Sequence, residues 1–267
     1  MLVGECVLAA VLLRTPASPP VPSVPGATAV PSATASVAPP SGLITTMPLP
    51  DARTARLIAL GGPRSGPLLE RIGAELAGAS VAVTDFWGPD WRRDIEIAAA
   101  GSDQEFEVLA AGAPDIAATT TDERIMFAPG ADAMSPEALR IVLRHELFHY
   151  AARPRTAADA PRWLTEGVAD YVGRPATPRP EPRHAVELAR LPSDTDLDTP
   201  GATRSLAYDR AWWFSRYVAE THGPAALREL YHRACGPGHS DVATAVRQTL
   251  SADLDEVVAD WRRWMTG

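Results

Sequence analysis

The segment RHELFHY, residues 144–150, places two of the chain's six histidines four positions apart, with a glutamate directly after the first. In a helix of about 3.6 residues per turn, His145 and His149 project from the same face, one turn apart. Two imidazoles placed in this way can bind one zinc ion at about 2.0–2.1 Å. Glu146 lies beside that face, where its carboxylate can take a proton from a water on the metal. The spacing H-E-x-x-H therefore predicts metal-assisted hydrolysis.

The residues around this segment are mostly apolar. They are Ile141, Val142, Leu143, Leu147 and Phe148. A surface helix that merely carries two histidines would not need apolar residues on its other sides. The pattern therefore predicts a helix that is buried on most sides, whose polar groups have a partner inside the fold.

A catalytic zinc ion needs three protein ligands and one open coordination position. Glu166, in WLTEGVADYV, follows His149 by 17 residues, which leaves room for one helix to end and a second to return. Asp170 lies one turn beyond Glu166, and we expect it to accept the free ring N–H of His145. Gly167 is expected to let the two helices approach closely. Without the histidine motif, Glu166 and Asp170 would be interpreted as the polar side of an amphipathic helix.

The elements that must position these residues change in type along the chain. Helical spacing is found at 67–78 and 101–112, and strand-like patterns are found at 80–86, 94–100, 114–121 and 123–129. From Pro136 onward the pattern is almost entirely helical, with Ser135 as the expected N-cap of the histidine helix. Residues 174–201 are rich in proline and charge and predict a long loop. The chain is therefore expected to be α+β, with a small sheet followed by a helical half.

Residues 1–14 and 15–50 differ in composition from the rest of the chain. The first segment has the length and apolarity of a signal-peptide core, although it carries Glu5 and lacks a basic start. The second contains ten prolines and no charged residue, which predicts an extended linker. We therefore expect a leader at 1–14, a linker at 15–50 and one domain at 51–267. This layout favours an extracytoplasmic or secreted protein.

Composition excludes several classes of protein. The formal net charge of -8 argues against binding to nucleic acid. No apolar run approaches the roughly 20 residues that a membrane span requires, so no integral membrane span is expected. The two cysteines, Cys6 and Cys235, do not form a disulfide framework, because only the second lies in the part expected to fold.

The segments HELFH and WLTEGVADY together resemble the gluzincin branch of zinc metallopeptidases, and within it the short bacterial domains called peptidase MA-like. The resemblance implies a zincin-like α+β fold, with a small N-terminal mixed sheet followed by a helical C-terminal half that carries the HExxH helix. It implies Zn²⁺ as the cofactor, bound by His145, His149 and Glu166. It also implies Glu146 as the general base, and a peptide or protein as the substrate.

Two further roles in such an enzyme have weaker candidates in this chain. The donor that stabilises the oxyanion is a tyrosine or histidine in similar domains, and Tyr208 is the first choice, with His184 second. A packed tyrosine and a solvated histidine explain these two residues equally well. In the family, an edge strand pairs with the extended substrate, and residues 123–129 are the candidate for that strand.

The sequence also raises two other functions and one further metal site. A deformylase also carries HExxH, but it takes its third ligand from an upstream cysteine, and none lies between Asp51 and His145. A catalytically inert pseudo-peptidase would use the same groove as a zinc-stabilised binding module. The presence of Glu146 favours an enzyme over such a module. A second metal site at His232, Cys235 and His239 is not favoured, because its spacing suits no common structural zinc motif.

Overall fold

A computed structural model describes residues 43–110 and 116–267. Five strands lie in this part of the chain: β1 Leu43–Leu49, β2 Arg53–Ala59, β3 Asp94–Ala99, β4 Ala118–Thr120 and β5 Ile125–Phe127. The helices are α1 Ser65–Trp87, α2 Asp103–Ala110, α3 Pro136–Ala152, α4 Arg162–Gly173, α5 Pro182–Leu188, α6 Asp194–Asp198, α7 Ala202–His222, α8 Pro224–Cys235, α9 Val242–Leu250 and α10 Leu254–Thr266. The fold is mixed α/β, with a small N-terminal sheet and a mostly helical remainder, as the sequence predicts.

The five strands form one sheet in the order β1-β2-β3-β5-β4. Strands β2, β3 and β5 are parallel, and β1 and β4 pair antiparallel at the two edges. The prediction that residues 123–129 form the edge strand is therefore wrong. After β4 the chain turns at residues 121–124 and returns as β5, which inserts between β4 and β3, so the edge position falls to the earlier strand.

The predicted linker at 15–50 is wrong for its last residues. Residues 43–49 form β1, which pairs with β2 from Leu43 opposite Ala59 to Leu49 opposite Arg53. Most of β1 is exposed, so the strand is held by main-chain pairing and gives no apolar pattern to find in the sequence. Pro48 is tolerated because β1 is an edge strand. The predicted leader at 1–14 and the linker up to residue 42 lie outside the described residues.

Residues 80–86, predicted as a strand, form the last part of helix α1 instead. The buried residues of α1 recur at helical spacing along its whole length, from Leu68 and Ile72 through Leu76 and Ala79 to Val83. This long-range periodicity outweighs the local strand preference of the two valines in SVAVTDF. Helix α1 packs on the sheet and on α3, the helix that carries His145 and His149.

The predicted loop at 174–201 contains two short helices, α5 and α6. Pro182 occupies the start of α5, where its fixed φ favours a helix. Ser193 caps α6 and forms a capping box with Asp196. These local start signals are sufficient for helices of seven and five residues. Among the described residues, no helix has both the length and the apolarity needed to cross a membrane.

Candidate active site

Helix α3 begins as the sequence predicts. The side chain of Ser135 accepts a hydrogen bond from the amide of Ala138 at 3.1 Å, and Pro136 occupies the first turn. Arg140 donates two hydrogen bonds to the Glu75 carboxylate of α1, at 2.8 and 3.0 Å. Phe148 packs edge-on against aromatic rings from α1 and α8. These contacts fix α3 on one side and leave its histidine face directed at α4.

Helix α4 lies very close to two other helices. A Cβ on Gly173 would lie 2.9 Å from the carbonyl oxygen of Ile141, so this glycine allows α4 to approach α3. A Cβ on Gly167 would lie 2.5 Å from the carbonyl oxygen of Ala211 in α7. The expectation that Gly167 serves the approach of α4 to α3 is therefore wrong. Gly167 serves the packing of α4 on α7, because it faces away from α3.

Helices α3 and α4 bring three possible metal ligands together. Nε2 of His145 lies 3.1 Å from Nε2 of His149 and 3.1 Å from Oε2 of Glu166. Nε2 of His149 lies 3.5 Å from the same carboxylate oxygen. Among the described residues this is the group of His, Cys, Asp and Glu side chains that could hold a metal ion.

The donor set and its spacing fit zinc. Two imidazole nitrogens and one carboxylate oxygen are the ligands of one known class of catalytic zinc site. With zinc–ligand bonds of about 2.0–2.1 Å in tetrahedral geometry, neighbouring donor atoms lie about 3.3 Å apart. The three observed separations, 3.1, 3.1 and 3.5 Å, bracket this value. The three residues can therefore hold the ion with little rearrangement.

Asp170 lies behind His145, on the side away from the ligand group. Its Oδ1 lies 2.9 Å from Nδ1 of His145, the ring that the sequence predicts as its partner. With the proton on Nδ1, the ring donates to Asp170 and presents the lone pair of Nε2 to a metal. The second oxygen, Oδ2, lies 2.6 Å from a guanidinium nitrogen of Arg174. Another nitrogen of that guanidinium lies 2.7 Å from Oδ1 of Asp209 in α7.

Glu146 is buried and points toward the edge of the sheet. Its Oε2 accepts a hydrogen bond from the hydroxyl of Thr120, at 2.7 Å, and that hydroxyl also lies 3.0 Å from the main-chain oxygen of Glu146. Thr120 is the last residue of the edge strand β4. The carboxylate next to the ligand group is therefore oriented by the strand that borders the site.

Tyr208 lies in the first half of α7, and its ring centroid is 6.4 Å from that of His145. Burial raises the pKa of Tyr208 well above its ordinary value, and the negative charges of Glu166, Asp170 and Glu146 raise it further. The phenol is therefore protonated and able to donate at neutral pH. His184 lies in α5, and in the described part of the chain no hydrogen bond or ring contact joins it to the ligand group.

The histidines and carboxylates of the ligand group shift each other's pKa values. Burial alone would lower the pKa of His145, but hydrogen bonds to Asp170 and Glu166 outweigh burial and raise it well above the ordinary value. Burial alone would raise the pKa of Glu166, but the charge of His149 and hydrogen bonds to both histidines lower it well below the ordinary value. Both shifts have one physical cause, the mutual attraction between the histidine rings and the carboxylates that contact them.

The second histidine cluster has other partners. The ring of His232 packs on Trp87 with centroids 4.6 Å apart, and His239 lies 3.4 Å from Asp159. Burial raises the pKa of Cys235 to about 12. A metal-ligating cysteine must be a thiolate, whereas burial favours the neutral thiol of Cys235.

The comparisons with known proteins show similarity of fold. One similar structure is an M1 zinc metallopeptidase from Deinococcus radiodurans, with a TM-score of 0.52 and 20% identity. Another is a mutant of an M1 zinc metallopeptidase from the same organism, with a TM-score of 0.51 and 19% identity. Each similarity covers 85% of this chain and 52% of the other chain. The present chain thus spans about half the length of these relatives.

Neither a family model nor a curated protein matches this chain. At this level of identity the structural likeness establishes the fold alone.

Sequence reasoning missed three residues of the site: Thr120, Arg174 and Asp209. A signal existed only for Arg174, which follows Asp170 by four positions at the end of α4, the spacing of an ion pair. Thr120 and Asp209 reach the site from distant parts of the chain, and their contacts depend on how the strands and helices pack.

Proposed function

We propose that the protein is a zinc-dependent peptide hydrolase of the gluzincin type, with a zincin-like fold and endopeptidase activity. The observation that carries the proposal is the convergence of His145, His149 and Glu166, with donor atoms 3.1–3.5 Å apart. Glu146 directly follows His145 in α3. Two imidazoles, one carboxylate ligand and one adjacent free carboxylate are the parts that a zinc peptidase needs. The fold shared with M1 zinc metallopeptidases supports the same class of reaction.

A bound zinc ion would lower the pKa of a coordinated water toward about 7 and polarise the scissile carbonyl. Glu146 is the group that accepts the proton of the attacking water and passes it to the leaving amine. The hydrogen bond from Thr120 holds that carboxylate at one rotamer and leaves Oε1 for the water. Tyr208, protonated and close to His145, is the candidate donor to the oxyanion that forms at the carbonyl.

The substrate is proposed to lie along the free edge of β4. The main-chain oxygen of Ala117 accepts a hydrogen bond from the amide of Ala128, and the amide of Thr121 donates one to Arg124. The residues on either side of β4 therefore bond toward β5. In an antiparallel pair, hydrogen-bonded and non-hydrogen-bonded residues alternate, so Ala118 and Thr120 direct their main-chain groups away from β5. Ala118 therefore presents its N–H and C=O to an extended peptide, two residues before Thr120, whose hydroxyl orients Glu146.

The proposal is tested with a mixed peptide library digested by the zinc-loaded protein. We expect cleavage at internal peptide bonds by the wild type, and loss of roughly 10²–10⁴-fold in rate for Glu146→Gln at unchanged zinc content. Glu137→Gln is the matched control, because Glu137 lies exposed on the same helix, and it should cleave like the wild type.

Two outcomes would overturn the proposal. If the wild type and Glu146→Gln both hold one zinc ion and neither cleaves any peptide, the protein is a zinc-stabilised binding module. If Glu146→Gln cleaves as fast as the wild type, the activity does not arise at this site. Release of only terminal residues would contradict the endopeptidase assignment while leaving the zinc hydrolase in place.

A further inference from the structure

We propose that Arg174, held by Asp209, is a positioning residue that fixes the ring of His145 through Asp170. The four side chains form one continuous series of contacts: His145 to Asp170 at 2.9 Å, Asp170 to Arg174 at 2.6 Å, and Arg174 to Asp209 at 2.7 Å. The series begins at a proposed metal ligand on α3, passes through Asp170 of α4 and Arg174 directly after α4, and ends on α7. The orientation of the ligand thus depends on a residue far from it in the sequence.

The first link makes the position of Asp170 important. A histidine that binds a metal through Nε2 needs a fixed acceptor for its Nδ1 proton, because this bond sets both the tautomer and the ring angle. Asp170 Oδ1 is that acceptor. Its side chain is almost fully buried, and so is the side chain of Arg174, at 3% and 7% exposure. A carboxylate in such a place cannot rely on water to hold its orientation.

The second link supplies that orientation. Oδ2 of Asp170 is buried, and the guanidinium of Arg174, 2.6 Å away, is the contact that compensates its charge. Without the guanidinium, the carboxylate would be buried with one uncompensated oxygen. It would then turn toward another donor, and this change would alter the acceptor that His145 needs.

The third link explains why an arginine occupies this position. A guanidinium presents several N–H groups in a rigid plane, so it can bind two carboxylates at fixed angles. Arg174 uses this property to connect Asp170 of α4 with Asp209 of α7. The two helices already touch at Gly167 and Ala211, so Asp209 is held at a fixed distance. With Asp209 in place the guanidinium has one orientation, and this orientation is passed on to Asp170.

The inference rests on the proposed metal site, but its test does not require peptidase activity. Cobalt is used as the probe, because its visible absorption reports ligand geometry in a site that zinc would occupy. Cobalt and zinc affinities are measured by competition with a chelator for the wild type, Arg174→Gln, Arg174→Lys and Asp209→Asn. The thermal stability of each metal-free protein is measured in parallel, so that affinities are compared only where every protein is folded.

The matched controls are Arg216→Gln and Glu220→Gln. Arg216 and Glu220 form an ion pair of 2.6 Å on α7, with the arginine side chain 12% exposed, and neither residue contacts the ligand group. Their loss should destabilise the fold in a similar way without affecting the metal. A purely structural role for Arg174 predicts that the Arg174 variants behave like these controls.

We expect Arg174→Gln to weaken metal binding by roughly 10–100-fold and to change the cobalt spectrum, as loss of partners behind a ligating histidine does. Asp209→Asn should weaken binding by roughly 3–10-fold, because Asp170 keeps its guanidinium but the guanidinium loses its second anchor. Arg174→Lys should lie between wild type and Arg174→Gln, since it restores the charge but not the planar geometry. Both controls should bind metal within about twofold of the wild type.

Equal affinities and spectra for the Arg174 variants and the controls would overturn the proposal. If Arg174→Gln does not fold, Arg174→Lys and Asp209→Asn decide it, because both retain a charged or polar partner at the site. A wild type that binds cobalt tightly but cleaves no peptide would contradict the proposed peptidase function and leave this inference to be judged on the affinities.

Discussion

The hydroxyl of Thr120 lies 2.7 Å from Oε2 of Glu146, so the edge strand and the HExxH helix meet at the proposed general base. The residue that orients the base belongs to the same strand as the main-chain groups proposed to bind the substrate. Binding of a peptide along β4 and alignment of Glu146 are thereby linked through a single side chain.

Replacing Thr120 with valine removes the hydroxyl and keeps the shape of the side chain. A hydrogen bond to a charged group contributes about 1.5 kcal/mol or more, so we expect kcat to fall by roughly tenfold with zinc content unchanged. Thr120→Ser should recover most of the rate because it keeps the hydroxyl, and Thr119→Val is the control on the same strand. Peptide cleavage by Thr120→Val at the wild-type rate would show that Glu146 does not depend on this bond.

Part of this site can be predicted from the sequence because it depends on the helical repeat. The four-residue spacing of His145 and His149, and that of Glu166 and Asp170, directly place each pair on one helix face. Thr120 could not be found in this way, because its contact with Glu146 depends on which strand becomes the sheet edge. Strand β4 becomes the edge because β5 inserts between β3 and β4. No local sequence pattern predicts this strand order.

The errors in the fold have a similar origin. Strand β1 is held by main-chain pairing to β2, and its exposed side chains resemble those of the linker before it. Residues 80–86 contain β-branched residues that favour a strand locally, but Val83 continues the buried face of α1. The helical periodicity of the whole segment, and its packing on α3 and the sheet, make residues 80–86 helical. The local propensity of these residues alone favours a strand.

Gly167→Ala should destabilise the protein. The added Cβ would lie 2.5 Å from the carbonyl oxygen of Ala211 and 2.9 Å from the hydroxyl of Ser215, so α4 and α7 would have to separate. Overpacking of this kind costs about 1–3 kcal/mol, measurable as a lower midpoint in urea denaturation. Gly78→Ala is the matched control in a helix, because nothing lies within 4 Å of its added Cβ.

Gly78→Ala should instead stabilise the protein by about 0.5–1 kcal/mol, since alanine loses less conformational freedom than glycine in a helix. A Gly167→Ala variant with the stability of the wild type would mean that the approach of α4 to α7 is looser than described.

The stability of the protein should fall in acid partly because of His232. Burial lowers the pKa of His232 below its ordinary value, and the nearby charge of Arg155 lowers it further. Between that lowered pKa and about 6.5, the value in an unfolded chain, the unfolded state binds more protons than the folded state. Stability therefore rises with pH in this window and falls as the pH decreases through it.

His232→Phe keeps a ring against Trp87 and removes the titrating group. Denaturation midpoints at pH 8 and pH 5.5 should differ less for this variant than for the wild type, with all other titrating groups common to both proteins. An identical pH dependence for the two proteins would show that His232 is protonated as easily in the folded state as in the unfolded chain.

The most direct measurement is the number of zinc ions bound per chain, by equilibrium dialysis followed by elemental analysis, for the wild type and Glu166→Gln. We predict one tightly bound zinc ion per wild-type chain, and strongly reduced occupancy for Glu166→Gln at the same free zinc concentration. The exposed Glu137→Gln control should bind like the wild type. Full occupancy in Glu166→Gln, or no zinc in the wild type, would contradict the account.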